Sequence, residues 1–220
     1  MSIFKRGYTL AEVLITLAII GTIAAITIPS LQINAQKAQV VPALQKAMNT
    51  LENFNNTILY ENNARSLLSI YPTTAAYGEG LLSHLSGASK IEQSYKMGSG
   101  ASTDNGDVVI VTADGIVLGL KTPNGTGDGL TKGFIDNTMT CYQVYIDING
   151  LKGANLDARD IFSYYVDVRD GQVYPRGGRF IERNPNRRWV NSCKNGAVPT
   201  ERLTCTAAIV ENDWHIRYNY

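Results

Sequence analysis

The sequence predicts an α+β protein in which one long N-terminal helix, hydrophobic at its start and amphipathic further on, packs against an antiparallel β-sheet head. Three observations predict it: an apolar run over Tyr8–Ile28, an apolar stripe of helical period that continues to Ile58, and strand-like runs around Asp-Gly turns. With 220 residues, 44% hydrophobic and 18% charged, the chain can bury one sizeable core rather than two.

Tyr8–Ile28 is the most apolar part of the chain. It holds 21 residues, which as a helix span about 30 Å, the thickness of a bilayer hydrocarbon core. Lys5 and Arg6 precede it and no positive charge follows until Lys37, so the positive-inside bias places Met1 in the cytoplasm and exports the remainder. An ordinary secretory signal peptide fits badly, because its apolar core runs about 7 to 15 residues and closes on an Ala-x-Ala pair that this segment lacks. A plain single-span anchor fits the hydropathy and leaves Glu12 unexplained.

Glu12 is the one ionisable side chain that would sit firmly inside the run besides the phenol of Tyr8. A charged group at mid-span costs about 2.5 to 3.5 kcal/mol on insertion scales, and such groups usually have a partner. A cut between Gly7 and Tyr8 would create an α-amine four residues from Glu12, on the same helix or on a staggered neighbour. That amine could neutralise the carboxylate.

Lys5-Arg6-Gly7-Tyr8-Thr9-Leu10-Ala11-Glu12-Val13-Leu14, followed by an apolar stretch and Pro29, closely resembles the class III signal of type IV prepilins and type II secretion pseudopilins. Tyr8 stands where that family usually has Phe, and Ala11 where a bulkier aliphatic residue is often found. The resemblance implies a pilin-like fold and cleavage of a leader, residues 1–7, by a prepilin peptidase after Gly7. It implies N-methylation of Tyr8 and a contact from Glu12 to the first residue of a neighbouring subunit. The implied partners are like subunits and other pilins, an inner-membrane assembly platform, and lipid before assembly. The implied course runs from a single-pass bacterial inner-membrane precursor to an extracytoplasmic filament, and Glu12 favours a subunit packed along its shaft.

Four segments follow: the leader 1–7, the transmembrane and polymerisation half of the helix 8–28, its amphipathic half 29–62, and a head over 63–220. Val41, Leu44, Met48, Leu51, Phe54 and Ile58 carry the amphipathic stripe. Pro29 and Pro42 are expected to bend or locally melt the helix, since each lacks a donor and clashes with the preceding turn. Arg65–Ser102 reads as a loop with a short helix in the apolar pattern Leu81–Ile91. Val108–Val111 and Ile116–Leu120 flank Asp114-Gly115 and predict a hairpin; Tyr142–Ile148, Ile161–Val168 and Gln172–Tyr174 predict further strands, the last after Asp170-Gly171.

Candidate chemistry in the head is sparse. Asp147, Asn149, Asn155, Asp157 and Asp160 gather hard oxygen atoms around glycines, which suits either a turn held by Asn and Asp side chains or a calcium ion. The Glu that closes an EF-hand loop is absent. No nucleophile-elbow, zinc-protease or phosphate-loop pattern occurs, and His84 and His215 have no partner motif, so catalysis is not expected. Gly125–Gly129 lacks phosphate-loop spacing and reads as a surface loop.

Lys plus Arg total 20 against 19 Asp plus Glu, so any polyanion contact needs a local patch. Pro175–Arg202 supplies one, with Arg187 and Arg188 at its centre and Trp189 and Tyr174 nearby. It reads as a fibre contact or as the DNA-capturing surface of an accessory pilin, the latter through phosphate contacts and stacking. Among Cys141, Cys193 and Cys205, no Cys-x-x-Cys spacing points to zinc. In an exported head Cys193 and Cys205, with 11 residues between them, are expected to pair and leave Cys141 free; the alternatives pair Cys141 with either.

Overall fold

The computed structural model describes residues 9–92, 95, 108–120, 131–132, 140–152, 155–178, 193, 203 and 205–218. Helix α1 spans Leu10–Glu61. The chain divides into two compact units, with the boundary between Gln39 and Val40.

The first unit carries the apolar half of α1. Helical backbone passes through Pro29 and also, in the second unit, through Pro42, so the expected local melting does not occur at either. A proline removes one donor, and the turns on both sides keep their own hydrogen bonds. The helix ends where Asn63 turns left-handed (φ 46°). Ala64 N–H then reaches back to Leu59 O at 2.9 Å and Asn63 N–H to Tyr60 O at 3.1 Å, which occupies carbonyls that the last turn leaves open.

In the second unit Val40–Glu61 lies on an antiparallel sheet. Its strands among the described residues are β1 Ser89–Lys90, β2 Val108–Val111, β3 Val117–Leu120, β4 Thr131–Lys132, β5 Thr140–Asp147, β6 Ile161–Asp167 and β7 Val173–Pro175. Their order is β1-β2-β3-β5-β6-β7, with β4 pairing the start of β5 on the edge that β3 uses further along. Every pairing joins strands that follow one another along the chain or skip only the short β4, so the sheet is a meander. The β2–β3 hairpin closes through Gly115 at φ 87°, with Thr112 N–H bonded to Ile116 O at 2.9 Å. That is the left-handed position a three-residue hairpin loop gives to glycine.

Alternation along the strands builds the core. Ile110, Leu118, Tyr142, Val144, Phe162 and Tyr164 point to one face and pack with Leu44, Leu51 and Phe54 of α1, all at 1% exposure or less. Tyr145, Tyr165 and Cys141 lie on the other face and are also buried, so this sheet is covered on both sides.

Helix α2, Thr74–His84, is capped by Thr73, whose hydroxyl accepts from Ala76 N–H at 3.1 Å. The short helix therefore begins seven residues before the apolar pattern at Leu81, and Ser89–Lys90 within that pattern is the edge strand β1. Among the described residues a further short α-helix, α3, covers Cys205–Val210. Its Thr206 hydroxyl accepts from Ser163 N–H at 3.0 Å, which satisfies β6 where β7 no longer reaches.

Candidate functional site: the start of the apolar helix

The large apolar side chains along the first half of α1 are exposed. Leu10 is 78% exposed, Ile20 62%, Ile26 77% and Leu31 65%. This helix is long and apolar enough to cross a membrane, and none of its most apolar stretch is buried within the protein. Three of its threonine hydroxyls bond the preceding turn: Thr16 donates to Val13 O at 2.9 Å, Thr22 to Ile19 O at 2.8 Å and Thr27 to Ile23 O at 2.9 Å. A threonine that bonds the preceding turn carries little polar cost into an apolar phase.

Glu12 has a local partner that reasoning from charge alone did not include. Thr9 N–H and Thr9 Oγ1 both donate to Glu12 Oε2 at 2.8 Å, and Glu12 N–H donates to Thr9 Oγ1 at 3.2 Å. This is a reciprocal capping box, with Thr9 as the cap and Glu12 three residues on. Thr-x-x-Glu ahead of an apolar run was the sequence signal for it. Gly7 and Tyr8, the expected cleavage and methylation positions, lie outside the described residues.

Hydrogen bonds hold the described residues on either side of positions 153–154 in the Asp147–Asp160 segment. Asp147, fully buried, accepts from Asn149 N–H and Gly150 N–H at 3.1 Å each through Oδ1, and from the Tyr95 hydroxyl at 2.6 Å through Oδ2. Asn155 bonds the same tyrosine. Asp160 Oδ2 accepts from Leu156 N–H at 3.3 Å, and Ala158, left-handed at φ 65°, gives its carbonyl to the Tyr218 hydroxyl at 2.8 Å. Among the described residues, no group of three or more His, Cys, Asp or Glu side chains is arranged to hold a metal ion.

Cys193 and Cys205 form a disulfide with Cα atoms 5.1 Å apart, and Cys141 is free and buried. Burial pushes the Cys141 thiol up to about 12. His84 lies against the Phe54 ring at 5.3 Å, and His215 Nδ1 lies 2.7 Å from the Asp213 carbonyl in its own turn. Arg187, Arg188 and Gly125–Gly129 lie outside the described residues.

Residues 4–28 match the prokaryotic N-terminal methylation motif. The chain carries a prepilin-type signal. The long helix and antiparallel sheet that follow it form a pilin-like α+β architecture. Together these support a type IV pilin-like or pseudopilin precursor, and the motif belongs to a family of structural subunits processed by a prepilin peptidase. No curated protein and no solved structure matches the chain.

Proposed function

We propose that this prepilin-type chain is a structural subunit of a type IV pilus-like or type II secretion pseudopilus filament. It enters the bacterial inner membrane through Tyr8–Ile28 with Met1 in the cytoplasm, is cut after Gly7, is methylated on Tyr8, and polymerises through α1. The observation that carries this reading is the apolar half of α1, exposed on the isolated subunit and opening on a capped carboxylate within the methylation motif. Apolar surface of that extent needs lipid or other helices around it. A bundle of the same helices from other subunits supplies them once the subunit leaves the membrane.

Two measurements test the proposal. Intact-mass and N-terminal analysis of the protein made alongside a prepilin peptidase should give a chain that starts at N-methylated Tyr8. Electron microscopy of the same cells should show filaments that contain it. A chain retaining Met1, or one cut beyond Pro29, defeats the processing step. A processed chain that stays dispersed in the membrane when an assembly platform is present defeats the shaft-subunit reading.

A further inference from the structure

The part of α1 that lies on the sheet carries an apolar seam in which Val40, Leu44, Ala47, Leu51, Phe54 and Ile58 alternate steps of four and three residues. Such a heptad seam is nearly self-similar under a shift of seven residues, about 10 Å along the helix. Leu44 would then take the place of Leu51, or the reverse. Apolar packing alone separates such registers weakly, because contacts between hydrophobic side chains of similar volume are exchangeable. The one large size difference in the repeat lies between Ala47 and Phe54.

Asn55 breaks the degeneracy. It is fully buried beside the seam, and both ends of its amide are occupied by different elements. Its Nδ2 donates to Gly171 O in the β6–β7 turn at 2.7 Å, and its Oδ1 accepts from the buried Tyr77 hydroxyl of α2 at 2.7 Å. Gly171, at φ 76°, admits this approach, since a Cβ there would stand 2.9 Å from the Asn55 Cβ. After a one-heptad shift Met48 or Asn62 would occupy that place. Methionine would leave the Tyr77 hydroxyl and the Gly171 carbonyl without their bonds, and Asn62 lies past the last helical residue.

We propose that Asn55 is the register lock of α1 on the sheet, selecting one axial position among those the heptad seam would accept. The device costs little while both bonds are made and penalises every slipped alignment with orphaned buried groups. The lock itself, Asn55 with Tyr77 and Gly171, lies in the second unit and stands whether or not the chain polymerises.

The test uses the full chain in detergent and a short thiol cross-linker. Lys46 Nζ and Asp114 Oδ2 lie 2.7 Å apart in the observed register, so Lys46→Cys with Asp114→Cys reports it. Gln39→Cys or Asn53→Cys, each paired with Asp114→Cys, reports a shift by one heptad in either direction. Asn55→Leu combined with Tyr77→Phe removes the lock without leaving the phenol unpaired. This double variant should lose several-fold in yield at the 46–114 pair and gain at one of the slipped pairs, while Tyr77→Phe alone keeps the original pattern. The proposal is overturned if the double variant keeps the original 46–114 yield, or loses it with no gain at either slipped pair. It is equally overturned if Phe54→Leu shifts the pattern as much as the double variant does, because the size step would then set the register.

Discussion

The hydroxyl of Tyr95 lies between two acceptors, 2.6 Å from Asp147 Oδ2 and 2.9 Å from Gly150 O. One phenolic proton serves one of them at a time. A proton on Asp147 resolves the conflict, since the acid can donate to the phenol while the phenol donates to Gly150. Burial pushes the Asp147 carboxyl up to about 6, with the Asp160 carboxylate adding to the shift, against the opposing hydrogen bonds from Tyr95, Asn149 and Gly150.

A carboxyl with a folded value above its unfolded one binds its proton more tightly in the native state. Its contribution is therefore fully present below about pH 4 and is lost as pH rises through about 6. Asp147→Asn, which mimics the protonated acid, should match or exceed the parent in stability at pH 7 by up to about 2 kcal/mol. That advantage should shrink as the pH falls to 4.5. Denaturant unfolding of both proteins across this range checks it, and a constant difference between them contradicts the assignment.

The same geometry bears on calcium. Asp147 already accepts through both oxygens, and the described acidic residues form no metal-binding group. Millimolar calcium should leave the melting temperature unchanged, as should a chelator. A rise of several degrees on adding calcium, abolished by Asp157→Asn, would assign the ion to this loop and replace the turn reading.

The Cys193–Cys205 bond fixes the first residue of α3, the helix that satisfies Ser163 of β6 through Thr206. Replacing both cysteines with alanine should lower stability by about 2 to 4 kcal/mol. Peptide mapping without reduction should recover 193 joined to 205. Cys141, buried and with its thiol held protonated, should alkylate slowly until the protein is unfolded.

How much of this was legible depends on whether a signal was local. The β2–β3 hairpin and the long strands β5 and β6 could be read because runs of β-branched, apolar and aromatic residues, with Asp-Gly in the hairpin turn, are written into a few adjacent positions. Strand β1, two residues long, has no period to detect, and α3 combines a short run with a cross-link from elsewhere in the chain. Asn55 looked like an ordinary polar residue on a helix, because its two partners lie 22 and 116 positions away. At the N-terminus both readings of Glu12 were present in the same residues. The charge argument asked for the α-amine at Tyr8, on the same helix or on a staggered neighbour, while Thr-x-x-Glu named Thr9.

The cap at Glu12 and the amine pairing proposed for it make separable predictions about the proposed filament. The cap occupies Oε2 with both Thr9 donors, so Thr9→Val should remove the hydroxyl bonds and weaken the first turn by about 1 kcal/mol. Insertion draws on the whole apolar run, so both Thr9→Val and Glu12→Ala should reach the membrane at normal levels. Assembly should distinguish them. If the carboxylate also pairs with the N-terminal amine of a neighbouring subunit, Glu12→Ala loses charge pairing and cap together, and filament yield should fall at least tenfold. Thr9→Val keeps the carboxylate and should fall less. Glu12→Gln retains hydrogen-bonding capacity at the cap without the charge, so a yield near that of Glu12→Ala points to the amine. Filament yield from Glu12→Gln equal to the parent's would confine Glu12 to its cap and remove charge pairing from the assembly mechanism.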